Sequence, residues 1–183
     1  MARKKKSLTE AVSAEIQSNF NLDAFKEKKG LKQNIKFKDQ EWIPLSQAFQ
    51  DVTSIPGIPM GHIVLLRGHS DTGKTTAMIE AAVSAQKRKI LPVFIITEMK
   101  WNWEHATQMG MDVKEVKDPE TGEVLNYEGN FIYVDRESIN SIEDVAGFIL
   151  DLIDEQKKGN LPYDLLFLWD SIGSVPCEMP LKS

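Results

Sequence analysis

The sequence predicts an α/β fold with a mainly parallel sheet, preceded by an N-terminal helix and strand, and three observations carry that reading. From about residue 41 onward, apolar runs of strand length alternate with longer segments of helical periodicity. Residues 64–66, 94–96 and 165–169 are almost continuously apolar, as strands covered on both faces are. The octet Gly68-His69-Ser70-Asp71-Thr72-Gly73-Lys74-Thr75 follows one such run and opens a helical segment, which is the setting of a phosphate-binding loop. The core is therefore expected to be that of a P-loop NTPase.

Taken in order, Ser7-Leu8-Thr9-Glu10 has the capping-box pattern, and Leu8, Val12, Ile16 and Phe20 recur every four residues. An amphipathic helix over 8–20 is expected, with an apolar stripe that needs a partner. A lysine-rich charged stretch follows, and Ile35-Lys36-Phe37-Lys38 then alternates like an exposed strand. Residues 1–40 thus form an arm and 41–183 the core. In the core, strands are expected at 62–66, 92–97, 131–134 and 164–169, and helices at 74–87, 103–109 and 141–158. Asp118-Pro119-Glu120-Thr121-Gly122-Glu123 is a turn at the tip of a hairpin. No internal repeat is evident.

Composition bounds the function classes. With 183 residues, 42% of them apolar, the chain has enough material for one moderate core. No apolar run reaches the length of a membrane span. The segment after Met1-Ala2-Arg3-Lys4-Lys5-Lys6 carries Glu10 and Glu15, unlike a signal peptide. The single cysteine, Cys177, excludes an internal disulfide and is compatible with a reducing compartment, and no neighbouring histidine makes it a nucleophile. A cytoplasmic protein without membrane attachment is expected. Residues 1–38 hold ten Lys/Arg against four Asp/Glu, a balance of +6, while the remainder holds twelve against twenty-three, or −11. Such a basic arm either touches nucleic acid or an acidic face of a neighbouring subunit, or is a solvated tail.

The loop's chemistry explains its spacing. Gly68 and Gly73 permit backbone angles that turn the N–H groups of His69, Ser70, Asp71 and Thr72 inward around phosphates. The helix opening at Lys74, Thr75 and Thr76 adds the positive end of its dipole. Lys74 is suited to the β- and γ-phosphates of a nucleoside triphosphate, and the Thr75 hydroxyl to Mg²⁺. Asp170, at the end of the apolar run Leu165-Leu166-Phe167-Leu168-Trp169, is either a second Mg²⁺ group or a strand-ending turn residue. Ser171 beside it bonds either the ion's water shell or the turn. Glu98 follows another strand in the same way, and either orients and deprotonates an attacking water or is a surface glutamate.

Together these residues resemble the RecA family of homologous recombinases, particularly its bacterial and phage forms. Gly57-Ile58-Pro59-Met60-Gly61-His62-Ile63-Val64 is similar to the family's lead-in to its first core strand, and Gly68–Thr75 with Thr76 to its phosphate loop. Phe94-Ile95-Ile96-Thr97-Glu98, Ala106, Gly110 with Asp112, and Leu168-Trp169-Asp170-Ser171 continue the likeness, which spans about 31–178. The resemblance implies a RecA-like ATPase core, filaments on single-stranded DNA and DNA-dependent ATP hydrolysis in homologous recombination and DNA repair. It implies Glu98 as catalytic carboxylate, with Lys74 beside it, and Thr75 and Asp170 at Mg²⁺. It places adenine contacts at Asn102 and His105, where the family more often has an acidic and an aromatic residue. Trp101 and Trp103 flank these positions and either stack on the base or pack against the core. It also implies self-association through residues 1–40, whose helix and strand dock on the adjacent protomer.

The chain stops thirteen residues after Asp170, at Ser183. The two DNA-binding loops, the γ-phosphate-sensing glutamine and the further strands that the resemblance implies are therefore expected to be missing, as in a fragment, an interrupted product or a reduced protein. Two other readings share the loop, Glu98 and Asp170. One is a RecA-fold helicase or motor, the other a non-hydrolysing ATP-binding oligomerisation module.

Overall fold

Every residue of the strand Ile90–Ile96 is buried, and the rest of the sheet is built around it. In the computed structural model, which describes residues 21–30, 39–98 and 101–178, the chain divides between Asp39 and Gln40 into two units. The expected helix over 8–20 and strand over 35–38 lie outside the described residues. In the first unit, α1 (Leu22–Lys28) falls in the stretch read from sequence only as lysine-rich and charged. Asn21 caps it, its side chain accepting from the Ala24 N–H at 3.0 Å, and Asp23 in the first turn with Lys26 and Lys28 in the last complements the helix dipole. With so short a run, capping carried more signal than periodicity.

The second unit opens with β1 (Trp42–Pro44), α2 (Gln47–Thr53) and β2 (Gly57–Pro59), β1 and β2 pairing antiparallel. Gly57 is required there, because a Cβ on it would lie 2.1 Å from the Ile43 carbonyl oxygen. Next come α3 (Lys74–Lys87), β3 (Ile90–Ile96), α4 (Trp103–Gln108), the antiparallel pair β4 (Val113–Lys117) and β5 (Val124–Gly129), and β6 (Ile132–Asp135). The unit continues with α5 (Ile142–Lys158), β7 (Asp164–Asp170) and a 3-10 turn at Ile172–Ser174. The central sheet has the order β6-β3-β7, and both pairings are parallel, as expected. Pro92 lies one residue before the β6 pairing begins at Val93, so at that point β3 has a neighbour only in β7 and the missing N–H is tolerated. The turn at 118–123 is the tip of the β4–β5 hairpin: Asp118 Oδ1 accepts from the Glu120 and Thr121 N–H groups, and Gly122 takes φ +74°.

One expected strand is absent. Residues 62–68 form no ladder, and Ile63 and Leu65 are 101% and 72% exposed. An apolar run reports a tendency to be buried, but a strand exists only where a neighbouring backbone supplies its hydrogen bonds. Among the described residues β7 pairs on one side only, and nothing pairs with 62–68.

The main core lies between α3 and the sheet, where Ile79, Ala81, Ala82 and Ala85 meet Phe94, Ile96, Leu166 and Leu168. The small side chains on α3 let the helix approach the strands closely. A second cluster joins Ile95 to Ile139, Val145 and Val175. There α5 begins at a capping box: Ser141 Oγ accepts from the Asp144 N–H and Asp144 Oδ2 accepts from the Ser141 N–H, while Gly159 ends the helix at φ +81°. Phe94 anchors the aromatic part of the core, with ring centroids 4.7 Å from Trp101 and 6.3 Å from Phe131.

Because Phe94 is wholly buried at this junction, Phe94→Ala is expected to lower the unfolding free energy by about 3–5 kcal/mol. Urea unfolding followed by tryptophan fluorescence reads the loss as a lower midpoint at unchanged slope. An unaltered midpoint counts against this account of the core.

Candidate functional site

Parallel pairing brings the chemistry together. β3 and β7 run in register to a shared end at Ile96 and Asp170. The next residues, Thr97 and Glu98, donate their N–H groups to the Asp170 carbonyl at 2.8 and 3.2 Å. Two carboxylates 72 positions apart in sequence thereby stand at one sheet end, the carboxyl end where ligands of open parallel sheets bind. Ser171 Oγ donates to Glu98 Oε1 at 2.5 Å.

The loop meets the same end from the other side. Thr75 Oγ1, in the first turn of α3, donates to Asp170 Oδ2 at 3.0 Å. Gly73 occupies the position before the helix at φ +87°, a conformation that costs a side-chain-bearing residue about 1–2 kcal/mol. Asp71 also lies at positive φ, which aspartate tolerates better than most residues. A Cβ on Gly68 would lie 2.8 Å from Thr72 Oγ1, closer than real Cβ atoms pack. Thr72 Oγ1 donates to the His69 carbonyl at 2.8 Å and closes the loop on itself. The Lys74 ammonium folds back over this turn and donates to the Gly68 and His69 carbonyls at 3.1 and 2.7 Å. Among the described residues no carboxylate forms an ion pair with it, which leaves its charge to an anion seated on the loop.

These residues fit a magnesium nucleotide. Thr75 and Asp170 present a hydroxyl and a carboxylate oxygen side by side, the hard donors Mg²⁺ uses when water and phosphate complete its shell. Among the described residues no group of three or more His, Cys, Asp or Glu side chains is placed to hold a metal by itself.

The positions expected to meet adenine lie on α4. Asn102 is its N-cap, the side-chain oxygen accepting from the His105 N–H at 2.9 Å, which leaves its amide N–H₂ unused by the cap. Asn102 and His105 are both exposed. Trp101 and Trp103 are partly buried against the core, and Trp103 stacks on Tyr127 at 5.0 Å. Both rings pack against the core on one side.

Sequence reasoning did not reach a cleft of about 440 Å³ where β3 and β6 end, lined by Glu98, Trp101, Trp103, Tyr133, Asp135 and Arg136. Burial, and then the charge of Asp135, push the Tyr133 phenol above its ordinary range, so it stays a neutral donor through neutral pH. Nor did it reach Thr97 and Ser174, whose hydroxyls lie 2.6 Å apart behind Glu98 and Asp170. Their only sequence signal was adjacency to the two carboxylates.

Comparison with known proteins gives one consistent result. Residues 6–148 match the family described as RecA N-terminal domain. The chain is 32% identical over 126 residues to Protein RecA of Aquifex aeolicus, an alignment covering 67% of this chain and 35% of that protein. It is 36% identical over 86 residues to Protein RecA of Kineococcus radiotolerans, covering 45% and 25% of the two chains. With Protein RecA of Thermotoga petrophila it shares 30% over 124 residues, 66% and 34% of the two. The aligned region therefore spans a quarter to about a third of the length of these relatives. No solved structure matches the chain.

The loop geometry makes one stability prediction. Gly73→Ala should lower the unfolding free energy by about 1–2 kcal/mol, since alanine must adopt the left-handed conformation that opens α3. Chemical denaturation measures it, and a neutral result means the loop has another backbone path available.

Proposed function

Because the chain belongs to the RecA family, through its N-terminal domain, we propose that it binds Mg·ATP on the 68–75 loop within a P-loop NTPase core and hydrolyses it in DNA-dependent steps of recombination and repair. The observation that carries this reading is the convergence of the loop, Asp170 and Glu98 at one end of β3 and β7. A surface glycine turn with an adventitious lysine has no reason to place the following threonine in a hydrogen bond with the end of a sheet strand 95 positions away.

In this reading the N–H groups of residues 68–73 and the dipole of α3 hold the phosphates, and Lys74 exchanges its two carbonyl partners for β- and γ-phosphate oxygens. Thr75 and Asp170 hold Mg²⁺, which neutralises charge on the phosphates. Glu98 orients a water for in-line attack on the γ-phosphorus and accepts its proton as the bond to the leaving ADP oxygen breaks. Asn102 and His105 face the base. Single-stranded DNA is the partner and activator, residues 1–40 mediate self-association into filaments, and the setting is the cytoplasm of a bacterial or phage-infected cell. Among the described residues no helix is long and apolar enough to cross a membrane.

Two variants test the site. Lys74→Ala is expected to abolish ATP binding in calorimetry, and unchanged affinity defeats the assignment of the loop. Glu98→Gln is expected to keep ATP affinity while turnover falls by roughly 10²–10⁴-fold, the usual scale for a positioned general base. For assembly, deletion of residues 1–40 should convert oligomers to monomers in sedimentation velocity, and an unaltered distribution assigns self-association elsewhere.

A further inference from the structure

Ser171 stands where a serine normally caps a helical turn. It is the N-cap residue of the 3-10 turn at Ile172–Ser174, yet its side chain makes no capping bond. The hydroxyl points instead to Glu98 Oε1. A turn-stabilising serine uses its oxygen on the following N–H groups. This one leaves them and donates to a carboxylate 73 positions away.

The serine is itself held firmly. Its carbonyl accepts from Thr97 Oγ1 at 2.9 Å, and Ser174 Oγ lies 2.6 Å from both that carbonyl and Thr97 Oγ1. Thr97 Oγ1 also accepts from the Trp169 indole N–H at 3.2 Å. Arg136 Nη1, from the segment after β6, donates to the Ser174 carbonyl at 2.6 Å. Thr97 is only 4% exposed, so a partly satisfied version of this network carries the cost of an unpaired buried hydroxyl. Glu98 by contrast is exposed, and its backbone anchor on Asp170 leaves three side-chain torsions free. The Ser171 hydroxyl is what restrains them, and by occupying Oε1 it leaves Oε2 for a water.

We propose that Ser171 is the positioning residue of Glu98, and that Thr97 and Ser174 hold Ser171 in the orientation this requires. The inference rests on the reading of Glu98 as the group that activates water. Ser171 touches neither nucleotide nor water in this scheme and acts only through the carboxylate.

The test compares Ser171→Ala, Ser171→Thr, Glu98→Gln and the Ser171→Ala/Glu98→Gln double variant of the full chain, in Mg·ATP hydrolysis with single-stranded DNA present. Ser171→Ala is expected to lower kcat roughly tenfold to a hundredfold, as loss of an orienting partner does, with KM for ATP and Tm unchanged. Ser171→Thr, which keeps the hydroxyl, should restore most of the rate, and the double variant should be no slower than Glu98→Gln alone. Full turnover in Ser171→Ala alongside a dead Glu98→Gln overturns the positioning role alone. An equal loss from Ser171→Ala in both backgrounds overturns it too. Turnover that survives Glu98→Gln overturns the reading of Glu98 and this inference with it. A second measurement needs no turnover: the ¹³C resonance of the Glu98 side-chain carboxyl, assigned by its disappearance in Glu98→Gln, should move in Ser171→Ala. An unmoved resonance overturns the hydrogen bond.

Discussion

The candidate site depends on one backbone acceptor. The Asp170 carbonyl receives the N–H groups of Thr97 and Glu98, continuing the β3–β7 ladder one step past the last paired residues. That contact sets the spacing of two carboxylate-bearing residues by backbone geometry, which varies far less than side-chain rotamers do. Everything that follows is registered to it, from the Thr75 hydroxyl on Asp170 to the Ser171 hydroxyl on Glu98.

Such a registered end needs a rigid foundation, and β3 supplies it. Its seven residues are buried without exception, and both sheet neighbours run parallel to it. On one face α3 packs with alanines and Ile79, which brings the loop at its N-terminus close to the sheet. Phe94 carries the rings of Trp101, Trp103 and Phe131. The two tryptophans that follow Glu98 in the chain are therefore anchored in the core while they also line the cleft at the end of β3 and β6. Asn102, the N-cap of α4, and His105 within it are exposed. The division is between a buried strand end and an exposed helix start.

Several elements were legible because local signals agreed. The 74–87 and 141–158 helices carry both a terminus signal and periodicity, and the 118–123 turn has aspartate and glycine where an Asx turn needs them. The β1–β2 pair was not legible, because two three-residue strands give no periodicity and each of them ends in a proline. Residues 62–66 failed in the opposite sense. Their apolar character is strong, yet no described strand lies beside them, and hydrophobicity cannot name a hydrogen-bonding neighbour.

By itself the sequence determined which residue types could carry chemistry: a glycine-framed loop ending in Lys74 and Thr75, and two carboxylates, Glu98 and Asp170, each at the close of an apolar run. Those are properties of residue type and short spacing, and short spacing is all a linear pattern records. Only the tertiary structure decided that Glu98 and Asp170 share one sheet end, that Trp101 and Trp103 belong to the core, and that Ser171 turns away from its own helical turn to meet Glu98. Each of those outcomes depends on strand order and register, and neighbouring parallel strands are joined through long crossovers that place no constraint on local sequence.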